Sequence, residues 1–237
     1  MSHPIRYSLT MNNNHTEIVF VLDRSGSMQS CQEAAIAGFN RFLVEQQQLE
    51  GRVKLTLVLF DDEYLVPINA LPAAEVLPLD DETYVPRGST ALLDAIGRAV
   101  DDLGARLACS PESDRPGQVI VAILTDGLEN SSQTYSWRQI SALIKHQSEK
   151  YQWTFLFLGA NQDAIATAAQ MNIEASNAAT YMADEAGVRA GSESLARKVR
   201  GMHRLRMQKA SPAECRDAVT PMSDIVAEED LKERKSK

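Results

Sequence analysis

The stretch Thr16-Glu17-Ile18-Val19-Phe20-Val21-Leu22-Asp23-Arg24-Ser25-Gly26-Ser27 decides the fold. Ile18 to Leu22 is β-branched and aromatic with no polar alternation, the pattern of a strand buried on both faces. It stops at a polar loop that opens with a carboxylate. The arrangement recurs downstream, where the apolar run Val119 to Leu124 ends in Thr125-Asp126-Gly127. Two buried strands that each deliver an aspartate at the carboxyl end point to a parallel sheet with chemistry along one edge.

The segments around these strands fill in the alternation. Ile36, Phe39, Phe42 and Leu43 recur at three- and four-residue spacing, which predicts a helix over Gln29 to Gln48. Val53 to Phe60 and Tyr64 to Ile68 read as strands joined by the turn Asp61-Asp62-Glu63, an antiparallel pair. Prolines at 67, 72, 78 and 86 make the following stretch loop-rich up to Arg87. Leu92, Ile96, Ala99, Val100 and Leu103 line one side of a helix over Ala91 to Leu107, with Thr90 at its capping edge. Further helices are expected over Ser136 to Lys150, Asp163 to Met171 and Asp184 to Arg204, with a strand at Trp153 to Leu158. Gly187, Gly191 and Gly201 weaken the last helix. The fold class is therefore α/β: a doubly wound, mostly parallel sheet with one short antiparallel strand and helices on both faces.

The 237 residues suit one domain with appendages. We assign residues 16–204 to the domain, 1–15 to a flexible N-terminal segment and 205–237 to a charged tail, mobile or acting as a docking arm. No apolar run approaches the roughly 20 residues that span a bilayer, and Met1 to Asn14 lacks the apolar core of an export signal, so a cytoplasmic location is expected. The three cysteines, Cys31, Cys109 and Cys215, have no CxxC spacing and are read as reduced, mostly buried thiols. A net charge of -8 opposes binding to phosphate backbones, so no nucleic acid partner is expected. Four isolated histidines leave little material for imidazole metal sites or histidine triads.

What the strand ends offer is oxygen. Asp23, Ser25 and Ser27 follow the first strand, Thr90 stands in Arg87-Gly88-Ser89-Thr90, and Asp126 follows Leu124-Thr125. Carboxylates and hydroxyls are hard donors that suit Mg2+, or alternatively Mn2+ or Ca2+, and do not favour zinc or copper. Alternate positions in a short loop can aim Asp23, Ser25 and Ser27 at one point, with Gly26 tightening the turn. Each residue also has a plain structural role: Ser25, Ser27 or Thr90 alone would cap a helix, Asp126-Gly127 alone is a turn, and Asp61-Asp62-Glu63 reads as a solvated turn. His146 reads as a polar helix position and Asn161 as an N-cap. Only the joint occurrence at strand ends favours a metal.

Asp23-Arg24-Ser25-Gly26-Ser27-Met28, Gly88-Ser89-Thr90-Ala91-Leu92-Leu93-Asp94-Ala95-Ile96 and Leu124-Thr125-Asp126-Gly127 together resemble, in order and separation, the three segments of the metal-ion-dependent adhesion site (MIDAS) of the von Willebrand factor A (vWA) family. The resemblance spans Thr16 to Arg204 and is of the cytoplasmic bacterial type. It implies a divalent cation held directly by Ser25, Ser27 and Thr90 in the ligand-engaged form, with Asp23 and Asp126 acting largely through water. In the unengaged form, Asp126 would move to the inner shell. A partner protein's Asp or Glu would complete the engaged site, because neutral hydroxyl donors leave the cation electron-poor.

The function expected is a divalent-metal-dependent protein-binding module, not an enzyme. The alternatives are a Mg-dependent phosphohydrolase or an accessory subunit of an ATP-driven remodelling or regulatory assembly. Arg24 and Arg87 could meet a phosphate, but the three motifs hold no lysine, no second acid two residues after Asp23, and no phosphate-binding glycine loop.

Overall fold

The computed structural model describes residues 12–160 and 163–235. Its centre is a six-stranded sheet built from β1 (Asn12–Asp23), β2 (Arg52–Phe60), β3 (Tyr64–Pro72), β4 (Pro116–Thr125), β5 (Thr154–Ala160) and β6 (Ala178–Tyr181). The strand order is β3-β2-β1-β4-β5-β6, with β3 antiparallel to β2 and every other pair parallel. Helices α1 (Gln32–Gln47), α2 (Leu92–Cys109), α3 (Trp137–Tyr151), α4 (Ala164–Gln170), α5 (Glu185–Arg206), α6 (Pro212–Val219) and α7 (Met222–Lys235) cover both faces.

The unbroken apolar runs of β1 and β4 have the expected cause. Successive side chains on a strand point to opposite faces, so Ile18, Phe20, Leu22, Ile120, Ala122 and Leu124 enter the core under α1, α5 and α7. Val19, Val21, Val119, Val121 and Ile123 enter the second core, with residues of α2, α3 and α4. Phe20 meets Phe39 and Phe42 of α1 edge to face, with ring centroids 5.6 and 4.8 Å apart.

Several boundaries move. β3 extends to Pro72 through the stretch read as loop, because an edge strand pairs on one side only and tolerates proline. β6, three small or exposed residues closed by the buried Tyr181, has no counterpart among the expected strands. The glycines of α5 are contact points, not breaks: a methyl group at Gly201 would stand 2.7 Å from the Glu214 carbonyl oxygen of α6. Asn161 lies outside the described residues, and Asp163 caps α4 by accepting from Ala166 N at 3.0 Å.

The largest correction concerns residues beyond 205. The expected charged tail forms α6 and α7, both packed on α5, with Met222, Ile225 and Val226 buried in the core. Arg197 of α5 gathers Asp217, Glu228 and Glu229 from the two helices, and Lys198 Nζ donates to the Thr220 carbonyl at 2.6 Å. The charges are crowded because they face one another across α5. The N-terminal expectation moves as well, since β1 begins at Asn12, and residues 1–11 lie outside the description.

Candidate metal centre

In a 3-2-1-4-5-6 sheet the connection after β1 runs to β2 on one side, and the later crossover from β3 brings the chain to β4 on the other. The carboxyl ends of β1 and β4 therefore border a crevice, the usual place for a ligand in such folds. Leu22 is paired with Leu124, which puts Asp23 beside Thr125 and close to Asp126.

Asp23 is completely buried. Its Oδ1 accepts from Ser25 N at 2.7 Å and its Oδ2 accepts from Thr125 Oγ1 at 2.5 Å. Ser27 Oγ donates to Asp126 Oδ1 at 2.5 Å, and the Ser25 and Ser27 hydroxyls lie 3.1 Å apart. Neither Ser25 nor Thr90 caps a helix: Ser25 makes no capping bond to the 3-10 turn Gly26–Cys31, and the capping position of α2 is Ala91. Thr90 Oγ1 lies against the backbone of Gly127, where a methyl group would stand 2.5 Å from it. Gly127 thus leaves the second strand end open to Thr90, and the five expected residues come to one corner of the fold.

Two buried carboxylates meet here, and among the described residues neither is ion-paired with a basic side chain. Burial pushes the Asp23 pKa up to about 6 against the opposing hydrogen bonds from Thr125 and Ser25, with a further push from the Asp126 charge. Burial also raises Asp126, against the bond from Ser27. A cation would compensate this uncancelled negative charge, so the residues present fit a hard divalent ion. Among the described residues there is no group of three or more His, Cys, Asp or Glu able to hold a metal, so an ion here would need the hydroxyls of Ser25, Ser27 and Thr90 beside the two carboxylates.

The supports around the site were not all visible in sequence. Asp61, expected in a solvated turn, is completely buried. Its Oδ2 pairs with Arg24 Nη2 at 3.0 Å and Arg87 Nε at 3.3 Å, its Oδ1 accepts from Glu63 N, and its carbonyl accepts from Ala91 N at 2.9 Å. Arg87 Nη2 also reaches Glu63 Oε1 at 2.9 Å. Around this knot the backbone is zipped: Arg24 N to Phe60 O, Arg87 N to Arg24 O, and Gly26 N to Gly88 O. Gly88 supplies the positive φ of 66° that the crossing needs. The loop after β4 is fixed to the start of α2, where Leu93 N donates to Glu129, Asp94 N to Ser132, and Asn130 exchanges two bonds with the Thr90 backbone. From the other side, Tyr84 Oη donates to the Asp23 carbonyl at 2.6 Å.

Replacing Asp61 by Ala leaves Arg24, 5% exposed, without its buried partner. Breaking a buried pair from one side costs about 3–5 kcal/mol. We expect Asp61→Ala to lower the unfolding free energy by that amount, read by chemical denaturation, whereas a solvated turn residue would change it by less than about 0.5 kcal/mol.

No protein-family model matches the chain, and no curated protein matches it in sequence. Solved structures do match in fold. A von Willebrand factor type A protein from Catenulispora acidiphila superposes with a TM-score of 0.51 at 15% identity, over 79% of this chain and 43% of that one. Proximal thread matrix protein 1 of the mussel byssus, solved with a zinc-occupied MIDAS motif, gives a TM-score of 0.53 at 17% identity, over 78% of this chain and 46% of that one. The pilus adhesin SpaC of Lactobacillus rhamnosus GG gives 0.57 at 15% identity, over 78% and 30%. The chain thus spans less than half the length of these structures. At such identities the likeness establishes a fold shared with vWA domains.

Proposed function

We propose that this chain is a divalent-metal-dependent protein-binding module with no catalysis of its own. The observation that carries this reading is the pair of buried, uncompensated carboxylates, Asp23 and Asp126, linked through Ser27 to Ser25 at a strand-end crevice. Ser25, Ser27 and Thr90 would supply neutral oxygens to the ion, and Asp23 and Asp126 negative ones. The bound ion would contribute a concentrated positive charge that attracts an external carboxylate, so the partner presents an Asp or Glu. Mg2+ is proposed first, with Mn2+ and Ca2+ as alternatives. The zinc in the mussel protein's MIDAS supports a divalent ion at a motif of this kind without selecting one.

The absence of catalysis is supported by the cations and histidines nearest in sequence to the motifs. Arg24 and Arg87 are engaged by Asp61 and Glu63. His15 sits near the start of β1 and His203 accepts or donates between Thr16 and the Glu50 carbonyl, at the opposite end of that strand from Asp23. Among the described residues no helix is long and apolar enough to cross a membrane. A cytoplasmic location belongs to the proposal and draws support from three free thiols, one of them, Cys109, exposed.

Calorimetric titration of metal-stripped protein with Mg2+ and then Mn2+ tests this reading. One-site binding is expected in the wild type, with loss of at least tenfold in affinity in Thr90→Ala and no change in its circular dichroism. Folded wild-type protein that binds neither ion overturns the metal-mediated mechanism.

A further inference from the structure

Tyr181 closes β6 and is 3% exposed, yet its Oη has no hydrogen-bond partner among the described residues. A buried, unpaired hydroxyl is costly, on the order of 1–3 kcal/mol, and its surroundings suggest a use for it. Tyr181 pairs with Ala160, and Gly159 pairs with Thr125, so the backbone of Tyr181 stands level with that of Asp126, two strands away. The intervening Ala160 is small, and above it α5 presents Gly191, where a methyl group would stand 3.3 Å from Leu124 Cδ1, 3.5 Å from Leu158 Cδ1 and 3.7 Å from Tyr181 Cγ. The two small residues leave the ring room beside the ends of β4 and β5. Burial, and then the charges of Asp126 and Asp23, hold its pKa well above the usual phenol value.

We propose that Tyr181 is a positioning residue of the candidate metal centre, its Oη donating a hydrogen bond to the Asp126 carboxylate across one water. This inference rests on the metal-binding reading above. Asp126 is already held from above by Ser27 on Oδ1. A second donor on the core side would fix the plane of the carboxylate, in the way that outer partners fix metal-binding groups, whose loss typically weakens metal binding about 10- to 100-fold. The phenol has a counterpart in Tyr84, which steadies the backbone of Asp23. One aromatic hydroxyl would thus serve each carboxylate of the pair.

The test compares the full-length wild type with Tyr181→Phe, which keeps the ring and removes only the hydroxyl. Mn2+ and Mg2+ affinities are read by calorimetry, and melting midpoints are read in chelator. The expected result is at least tenfold weaker metal binding in Tyr181→Phe, with a metal-free midpoint that falls less than that of Tyr181→Leu, because the ring that fills the core is kept. Tyr181→Leu, which also removes the ring, should show the same loss of affinity together with a lower midpoint. Wild-type binding matched within twofold by Tyr181→Phe overturns this inference and leaves the metal reading standing. A Tyr181→Phe midpoint that falls in chelator as far as that of Tyr181→Leu reduces the residue to a structural role and overturns it as well. A folded wild type that binds no cation overturns the metal reading and this inference together.

Discussion

Asp23→Asn is expected to be at least as stable as the wild type in chelator and less stable than the wild type in saturating metal. Asn has nearly the shape of Asp: its oxygen can accept from Ser25 N, and its amide can donate to Thr125 Oγ1, so the two bonds that anchor Asp23 have substitutes. What disappears is a charge that is completely buried beside Asp126 with no basic partner among the described residues. In chelator at neutral pH the variant should therefore be at least as stable as the wild type, by up to about 1–3 kcal/mol. With Mg2+ or Mn2+ at about 100 times its dissociation constant, the wild type should gain about 2.7 kcal/mol through binding only the folded state. The variant should gain nothing, and partner capture should be lost with it. Melting curves recorded with chelator and with metal would cross. A variant that is less stable in chelator and still stabilised by metal would mean that Asp23 is a structural hydrogen-bond acceptor and not part of an ion site.

The legible part of this site was the part written in contiguous motifs. Asp23, Ser25 and Ser27 are two residues apart, and Asp126 follows an apolar run that reads as an interior strand, so strand ends and hydroxyl spacing sufficed to bring these residues to one corner of the fold. Asp61 escaped because a carboxylate in a two-strand turn is ordinarily solvated. Only the parallel crossing from β1 through β2 brings Arg24 and Arg87 to it. Tyr84 and Tyr181 escaped for a related reason: each reaches the strand ends from an element remote in sequence, the first from a proline-rich loop and the second from a four-residue strand with no β pattern of its own. The sheet order was legible as a class, since alternating strands and helices leave few options. The length of β3 was not, because its prolines are acceptable only to a strand already known to be at an edge.

Removal of residues 207–237 is expected to unfold the domain near ambient temperature, although no residue of the candidate metal centre lies in that segment. The charge density of the segment obscured two signals. Ser211, Pro212 and Glu214 form a capping box with proline at the first helical position, and Met222, Ile225, Val226 and Glu229 recur at the spacing of one helical face. That face is buried: Met222 and Ile225 are completely inaccessible and Val226 is 5% exposed. At about 1.5–3 kcal/mol for each buried apolar side chain, their loss alone removes on the order of 5 kcal/mol, comparable with the roughly 5–15 kcal/mol that stabilises a whole domain. The ion pairs around Arg197 add less, because several are partly exposed and screened. They fix the register of α6 and α7 on α5 more than they hold the helices there. Ile225→Ala in the full chain should accordingly cost about 2–5 kcal/mol, whereas Glu228→Ala, which removes one exposed partner of Arg197, should cost less than about 1 kcal/mol. Denaturant titration of the truncated chain and of both variants decides between an integral hairpin and a docked arm. An unchanged midpoint on truncation would show that the sheet and α1 to α5 are sufficient by themselves, and that the hairpin is cargo of the fold and not part of its core.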